Sequence, residues 1–414
     1  MVVGDESSTD EMRVLFVHTA TQPPLGADTW VQVQIIATLD RSTHGLHVAC
    51  ATGAPDAPTP TYAALRGIAG IELVPVNFGP ELYRRSTMGR VLALFGVFPA
   101  ILSMARLARY VRRHRIQVLH TTDRPRDALA CVVLARLTGA RLIVHSHVAY
   151  SAEWMGRSLQ WSMRRADALV AVSEFVASTL VDGGAEPDHV HVVLNAIELD
   201  RWVPGVDRDA ARAEFGYSDG DRVVITVCRL FPPKGPDLLI RAVADVRRLH
   251  PQVRLLLVGQ EMEGGYIDEL RAGARALGVE DIITFTGRRS DVPALMAAAD
   301  LFAMPSNDEP FGLVYAEAMA MELPVVALDN GGTPEVVEHG ATGLLSPAGD
   351  HEALVGHLAA LVADQARCRE MGRLGRRHVE ERLTLRRQAA DMASVYRLVA
   401  SRPARRQRKK DGKS

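Results

Sequence analysis

Twelve short apolar runs, most of them followed by a stretch of helical periodicity, set the limits on what this chain can fold into. The first series is Arg13–His18, His47–Ala51, Glu72–Val76, Gln117–His120, Arg141–His145, Ala168–Val172 and Val190–Leu194, with helical patterns such as Asp28–Asp40 and Arg126–Leu137 between them. The second is Val223–Cys228, Arg254–Val258, Ile282–Thr286, Leu301–Met304 and Pro324–Leu328, interleaved with Gly235–Leu249, Ile267–Leu277, Val292–Ala299 and Phe311–Met321. Such βαβα order predicts an α/β fold with parallel, doubly wound sheets. At 414 residues the chain exceeds one hydrophobic core. Two Rossmann-like domains, with facing parallel sheets and a cleft between them, are the expectation.

The boundaries follow from composition. Residues 1–11 are polar and acidic and are expected to be disordered. Residues 12–200 make an N-terminal domain and 221–384 a C-terminal one. The intervening 201–220, rich in Asp, Pro and Gly, reads as a linker. The helical stretch 385–401 has no strand partner and is expected to pack across both domains, before a basic disordered tail, 402–414.

Several function classes drop out on composition. Net charge is −1, so the whole molecule has no reason to seek nucleic acid. The four cysteines are scattered without a CxxC pair, which suggests neither a disulfide framework nor a zinc cage and fits a reducing cytoplasm. The N-terminus is no secretory signal, and no run of 18 apolar residues is present. Two segments could still touch the inner face of a membrane. Residues 83–115 carry an apolar middle between basic ends, and 402–414 is strongly basic. Each has a plainer reading, as a buried helix pair and as a solvated tail.

The residues able to carry chemistry cluster in the second series. Arg229 ends a strand and Lys234 stands at the mouth of the next helix. A diphosphate needs fixed positive charge and free N–H donors there, and Gly235 opens a helix that supplies the donors. In the segment Met304–Glu338, Glu309 precedes Pro-Phe-Gly and Glu317 lies inside the following helix. Gly312 would let a ligand approach the backbone, and the amides of Phe311, Gly312 and Leu313 would be unpaired first-turn donors. Glu309 could accept from sugar hydroxyls. Glu317, between Ala316 and Ala318, could be satisfied by two vicinal ribose hydroxyls. Taken singly, either glutamate reads as well as a helix-capping acid or a salt-bridge partner.

PSNDEPFGLVYAEAMAMELPVVALDNGGTPEVVEHGATGLL resembles the donor-site segment of the retaining glycosyltransferase family numbered four, of GT-B fold, and CRLFPPKG resembles that family's phosphate-binding loop. The likeness runs from about Val14 to Arg382 and is stronger in the second half. It implies that Arg229 and Lys234 neutralise a donor diphosphate and that Glu309 holds sugar hydroxyls with the amides of Phe311, Gly312 and Leu313. It implies further that Glu317 binds the ribose, that Gly287-Arg288 border the base, and that Gly331-Gly332 and Glu335 shape the same pocket. In the first half, Gln22 to Asp28 resembles the family's glycine-rich loop. Gly26 would lie against donor phosphate, and Ala27, where a second glycine is usual, and Asp28 would face the acceptor. His147 matches the family's cleft histidine best, with His145 as the alternative. His120 and Asp123 resemble an acceptor-side loop, and Ser173-Glu174 and Asn195 also match. Departures are Ala196, Cys228 and Glu322, each where glycine is common. If the turn at Glu322 needs positive φ, the glutamate is strained.

The resemblance implies a retaining glycosyltransferase, a UDP-sugar being the favoured donor, with a hydroxyl of a small molecule, glycan or lipid-linked compound as acceptor. No metal or other cofactor is expected, since Arg229, Lys234 and helix N-termini would stabilise the leaving diphosphate. An epimerase of the same fold or a non-catalytic sensor of nucleotide sugars remains as an alternative. A pyridoxal-dependent phosphorylase would need a dedicated lysine, and Lys234 is the one lysine outside the tail.

Overall fold

The structure, a computed structural model, describes residues 11–21, 26–54, 56–79, 97–153, 155–205, 208–262 and 264–402. Most of the expected N-terminal disorder, Gln22–Leu25 of the glycine-rich loop, 83–96 of the basic-flanked segment and the tail from 403 lie outside the described residues. The chain divides into two compact units. One holds Met1–Val193 with Gln388–Ser414, and the other Leu194–Arg387.

The first unit is built on seven strands: β1 Met12–His18, β2 His44–Cys50, β3 Ile71–Pro75, β4 Val118–Thr122, β5 Arg141–Ser146, β6 Ala168–Ala171 and β7 Val190–Val192. They lie in the order β3-β2-β1-β4-β5-β6-β7, and every pairing is parallel. The second unit has six: β8 Arg222–Val227, β9 Val253–Val258, β10 Ile283–Gly287, β11 Leu301–Met304, β12 Val325–Leu328 and β13 Gly343–Ser346. Their order is β10-β9-β8-β11-β12-β13, again all parallel. In each sheet the winding reverses beside the unit's first strand, between β1 and β4 and between β8 and β11. That is the place where doubly wound sheets bind ligands.

These strands are legible because helices cover both faces of a parallel sheet, so the runs are apolar throughout rather than alternating. Val223, Val224 and Ile225 of β8 and Leu255, Leu256 and Leu257 of β9 are fully buried. The helix Pro236–Leu249 shows the complementary pattern. Gly235 precedes it and Pro236 supplies a fixed φ at the first position. Leu239, Ile240, Val243 and Val246 bury one stripe against the sheet. Arg247 and Arg248 fall in the last turn, where a positive charge suits the helix dipole.

The stretch 201–220 is not a linker. It contains the helix Arg208–Glu214, and two of its arginines fasten it to the second unit. Arg208 donates to the carbonyls of Ala297 and Ala299 and to Asp300, while Arg212 donates to Ala298 and Asp221. Asp300 in turn accepts the Val223 amide at 2.8 Å. Strand β13 was not foreseen either. From Gln388 onward the C-terminal helix Leu385–Ser401 is part of the first unit, where fully buried Tyr396 meets His120. Glu322 adopts φ +59, the left-handed conformation that strains a side chain bearing a Cβ. Its carbonyl stands 1.9 Å from where a Cβ on Gly372 would lie, so the turn is fixed by a close approach of two backbones.

Candidate functional site

In the second unit the site grows from the carboxyl ends of adjacent strands. Cys228 donates its amide to Val258, and Gly259 donates to Gly287, so the ends of β8, β9 and β10 are tied in a row. A Cβ on Gly259 would fall 1.8 Å from the Cys228 carbonyl. Arg229 and Arg288 emerge from this row as exposed cations, and Arg229 lies 5.9 Å from the Phe231 ring. Gly287 holds φ +69 with open space where a Cβ would point.

Across the reversal of winding, the loop after β11 carries Glu309, which is nine-tenths buried. Glycines let the backbone close around it. A Cβ on Gly235 would meet the Pro305 carbonyl at 2.3 Å, and one on Gly331 would meet the Glu309 backbone at 2.7 Å. Gly332 donates its amide to the Glu309 carbonyl at 2.7 Å. Asp308, immediately before, is held at φ +49. The Glu309 carboxylate accepts from Lys234 Nζ and, at 3.0 Å, from Ser306 Oγ. Ser306 was not singled out from sequence. Its signal was slight, a serine three residues before a glutamate in a loop. Lys234 and Glu309 are therefore one ion-paired unit beside Arg229.

Gly312 sits at φ +85, directly ahead of the helix Leu313–Ala320. Among the described residues no acceptor meets the amides of Phe311, Gly312 or Leu313. The helix is locked to its strand by Tyr315, whose hydroxyl donates to the Met304 carbonyl at 3.0 Å. The carboxyl of half-buried Glu317, on this helix, has no hydrogen bond or ion pair among the described residues. Burial raises its carboxyl from the usual carboxylate range to about 7, with the charge of Arg201 opposing. A carboxyl group withdrawn from water and left unbonded is costly unless a ligand meets it.

In the first unit, side chains from the ends of β1, β4 and β5 form a polar cluster. Asp28, in the first turn of the helix Ala27–Thr38, is clamped by Arg124 at 2.7 and 3.3 Å. Burial raises its pKa, but the Arg124 hydrogen bond and charge outweigh that and bring it down to about 2. Gly26 caps the same helix, and Ala27 is exposed beside it. Asp123 accepts the His147 amide at 2.8 Å, and burial raises its pKa despite that bond. His147 keeps a buried Nε2 without a partner among the described residues. Burial lowers its pKa, against the opposing pull of Asp123 and Asp28.

Two of the expected acceptor-side residues are corrected by their burial. His120 and His145 are fully enclosed within the unit, on β4 and β5. His120 Nδ1 pairs with the Tyr396 hydroxyl at 2.6 Å, and its ring lies 5.4 Å from that of His145. Neither offers a face to an acceptor. His145 packs instead against His147, with 4.3 Å between ring centres and the planes tilted by 37°, and backs it. Ser173 is a helix cap, accepting from the Val176 amide at 3.0 Å. His18, Thr19 and Asp127 were overlooked. Thr19 donates its amide to Asp127 at 2.7 Å, and His18 pairs with Thr29 at 2.6 Å.

Comparison with known proteins gives concordant results. Residues 207–378 match the family described as glycosyl transferases group 1, and residues 31–201 match glycosyltransferase family 4. A GDP-mannose-dependent alpha-(1-6)-phosphatidylinositol monomannoside mannosyltransferase of Mycolicibacterium smegmatis is 35% identical over 277 residues, covering 63% of this chain and 72% of that protein. A D-inositol 3-phosphate glycosyltransferase of Segniliparus rotundus is 41% identical over 223 residues, 51% of this chain. The match spans 49% of that relative's length. Among solved structures, Anabaena HepE in complex with UDP-glucose superposes with TM-score 0.74 at 24% identity, over 93% of this chain and all of that one. A glycosyltransferase from Rickettsia africae gives TM-score 0.76 at 17% identity, over 95% of this chain and all of that one. These likenesses establish the fold as GT-B, with two Rossmann-like units.

Proposed function

The chain belongs to glycosyltransferase family 4, and from that premise we propose that it is a retaining enzyme moving a hexosyl group from a nucleoside-diphosphate sugar to an acceptor hydroxyl. The observation that carries this reading is the cradle of the second unit: Arg229, the Lys234–Glu309 pair and the unpaired amides at Phe311–Leu313 around one sheet edge. Breaking the anomeric bond puts negative charge on the departing diphosphate. Arg229 and Lys234 stabilise that charge where it develops, and the helix dipole adds to it. Glu309, freed in part from Lys234, takes sugar hydroxyls. No nucleophilic side chain is required if the acceptor attacks from the face the diphosphate leaves, its proton passing to a phosphate oxygen. The chemistry proceeds without a metal.

The donor's base is the finer question. The sequence favoured a UDP-sugar, and Anabaena HepE was solved with UDP-glucose. The relative matched over the larger share of its length is GDP-mannose-dependent by name. GDP-mannose is therefore the first donor to try. Incubation with GDP-mannose, UDP-glucose or UDP-N-acetylglucosamine, with and without inositol phosphate or phosphatidylinositol mannoside, should release nucleoside diphosphate only when an acceptor is present. Acceptor-independent turnover would point to an epimerase, and binding without turnover to a sensor.

Glu317 offers a second check. With a carboxylate accepting from both ribose hydroxyls at roughly 1.5–3 kcal/mol each, Glu317→Ala should raise the donor Kd about 100-fold or more and leave saturated turnover less affected. The acceptor form of this group is the ionised one, and its pKa is raised to about 7. Donor affinity should thus fall as pH drops through 7, by at most about tenfold per unit, and Glu317→Gln should flatten that profile. Unchanged donor affinity in the alanine variant removes the ribose assignment.

A lipid-linked acceptor has its own support. The helix Val97–Arg113 exposes Phe98, Ile101 and Leu102 and carries exposed Arg106, Arg109, Arg112 and Arg113 toward its other end. Leu129, Val133 and Leu137 add an exposed apolar stripe on the neighbouring helix Pro125–Thr138. Among the described residues no helix is long and apolar enough to cross a membrane. An apolar face rimmed by arginine suits the interface of an anionic bilayer instead. The protein should float with phosphatidylglycerol vesicles and not with phosphatidylcholine vesicles, and Phe98→Ser with Ile101→Ser should abolish flotation. Equal behaviour on both vesicles ends this reading.

A further inference from the structure

We propose that His47, Glu72 and His114 form a binding site for a zinc-type divalent cation in the first unit, remote in sequence from every residue of the proposed reaction. The three come from β2, from β3 and from the residue after the helix Val97–Arg113. Their ligand atoms all lie within 4.8 Å of one another. His47 Nδ1 is 3.3 Å from Glu72 Oε2, and His114 Nδ1 is 3.8 Å from the same oxygen. Ligands about 2.0–2.1 Å from a tetrahedral zinc stand roughly 3.3–3.5 Å apart. The first distance already fits, the second needs a shift of a few tenths of an ångström, and the two imidazoles, within 4.8 Å of each other, close on the metal by side-chain rotation.

The surroundings orient these ligands as outer partners do in metal sites. The Tyr110 hydroxyl donates to Glu72 and pairs with His47 Nδ1 at 2.8 Å. The Tyr110 ring stacks on His114 with 4.0 Å between centres and 20° between planes, fixing that imidazole. Arg13, the nearest cation, is drawn aside by Glu11 and the His114 carbonyl. Exposure grades from 7% for His47 through 30% for His114 to 59% for Glu72, so the fourth position opens to water. Two imidazoles and a carboxylate favour zinc over magnesium or calcium, which prefer oxygen alone. To accept the metal, His47 carries its proton on Nε2, so the Tyr110 bond to Nδ1 gives way while Tyr110 keeps Glu72 in place. The consequence is mechanical: β3, the edge strand of its sheet, and the end of an arginine-rich helix are both pinned to β2.

The competing reading is a hydrogen-bonded latch complete without metal. Calorimetric titration of the chelator-treated full chain with Zn2+, and of the same protein with Co2+ followed by visible absorption, separates the two. The site predicts one equivalent per chain and a four-coordinate Co2+ spectrum. His114→Asn and Glu72→Gln, both at accessible positions, should each weaken Zn2+ binding at least about tenfold, and Tyr110→Phe about tenfold through loss of carboxylate orientation. His351→Asn, which removes a histidine paired with Asp245 in the other unit, should change nothing. Absence of stoichiometric binding in the wild type, or binding unaltered by both ligand substitutions, overturns the proposal.

Discussion

Lys234→Ala should lower turnover about 10²–10³-fold with any accepted donor, equivalent to roughly 2.7–4 kcal/mol of lost transition-state stabilisation. The magnitude follows from where the ammonium stands. Lys234 lies in the turn Pro232–Lys234 that leads into the helix Pro236–Leu249, close to water-excluded Glu309, so little solvent screens its charge. Removing it does two things at once. The departing diphosphate loses a cation, and Glu309 becomes an uncompensated anion at the same place. The double variant Lys234→Ala with Glu309→Gln should therefore be less impaired than the product of the two single effects. Lys234→Arg keeps the charge but replaces a compact, mobile donor with a planar fork, and should restore only part of the rate. Single-turnover kinetics at saturating donor, with thermal unfolding run alongside, decide the matter. A loss of less than threefold in a folded variant would show that the charge argument is misplaced.

Acidification should unfold the first unit well before carboxylate titration begins. His18, His120, His145 and His147 are buried close together, and burial is the leading cause of the lowered pKa in each. His18 falls to about 4, His120 to about 3, His145 lies well below 6.5, and His147 is lowered too. In the unfolded chain all four return to about 6.5. Below that pH the unfolded state binds more protons than the folded one, so stability is intact above 6.5 and is lost as pH falls. At pH 5 the loss is about 2 kcal/mol for each of His18 and His120, or about 4 kcal/mol for the two, a large share of the stability of an ordinary domain, and His145 adds to it in the same direction. Asp123, whose pKa is raised, opposes this, while Asp28 reinforces it at still lower pH. Urea midpoints for the first unit should drop steeply between pH 7 and 5. His145→Leu should remove about one proton from that slope. A midpoint independent of pH over this range would rule the account out.

Most strands, and the loops that carry the proposed donor cradle, were legible because their determinants are local. A buried parallel strand is a continuous apolar run, and Gly235, Gly312 and Gly331-Gly332 mark places where backbones must approach or turn. What sequence concealed is nonlocal. His120 is paired with Tyr396, 276 positions away, so nothing near it announces an enclosed ring rather than an acceptor contact. The arginines of Arg208–Glu214 bind carbonyls near residue 298, and without that knowledge the segment has the composition of a spacer. Strand β13, with glycine first and serine last, is too short and too mixed to stand out. Glu322 was legible for the opposite reason: a glutamate in a glycine position states its own strain.

The return of the last helix to the first unit has a consequence for synthesis. The ribosome finishes strands β1 to β7 just over two hundred residues before it makes Tyr396. Until then the His120 ring lacks its hydroxyl partner and the nascent unit carries an open seam. The whole of the Leu194–Arg387 unit is synthesised in the interval. The first unit is thus completed only after the second has been made, which leaves it the more dependent of the two on protection from aggregation while translation is under way.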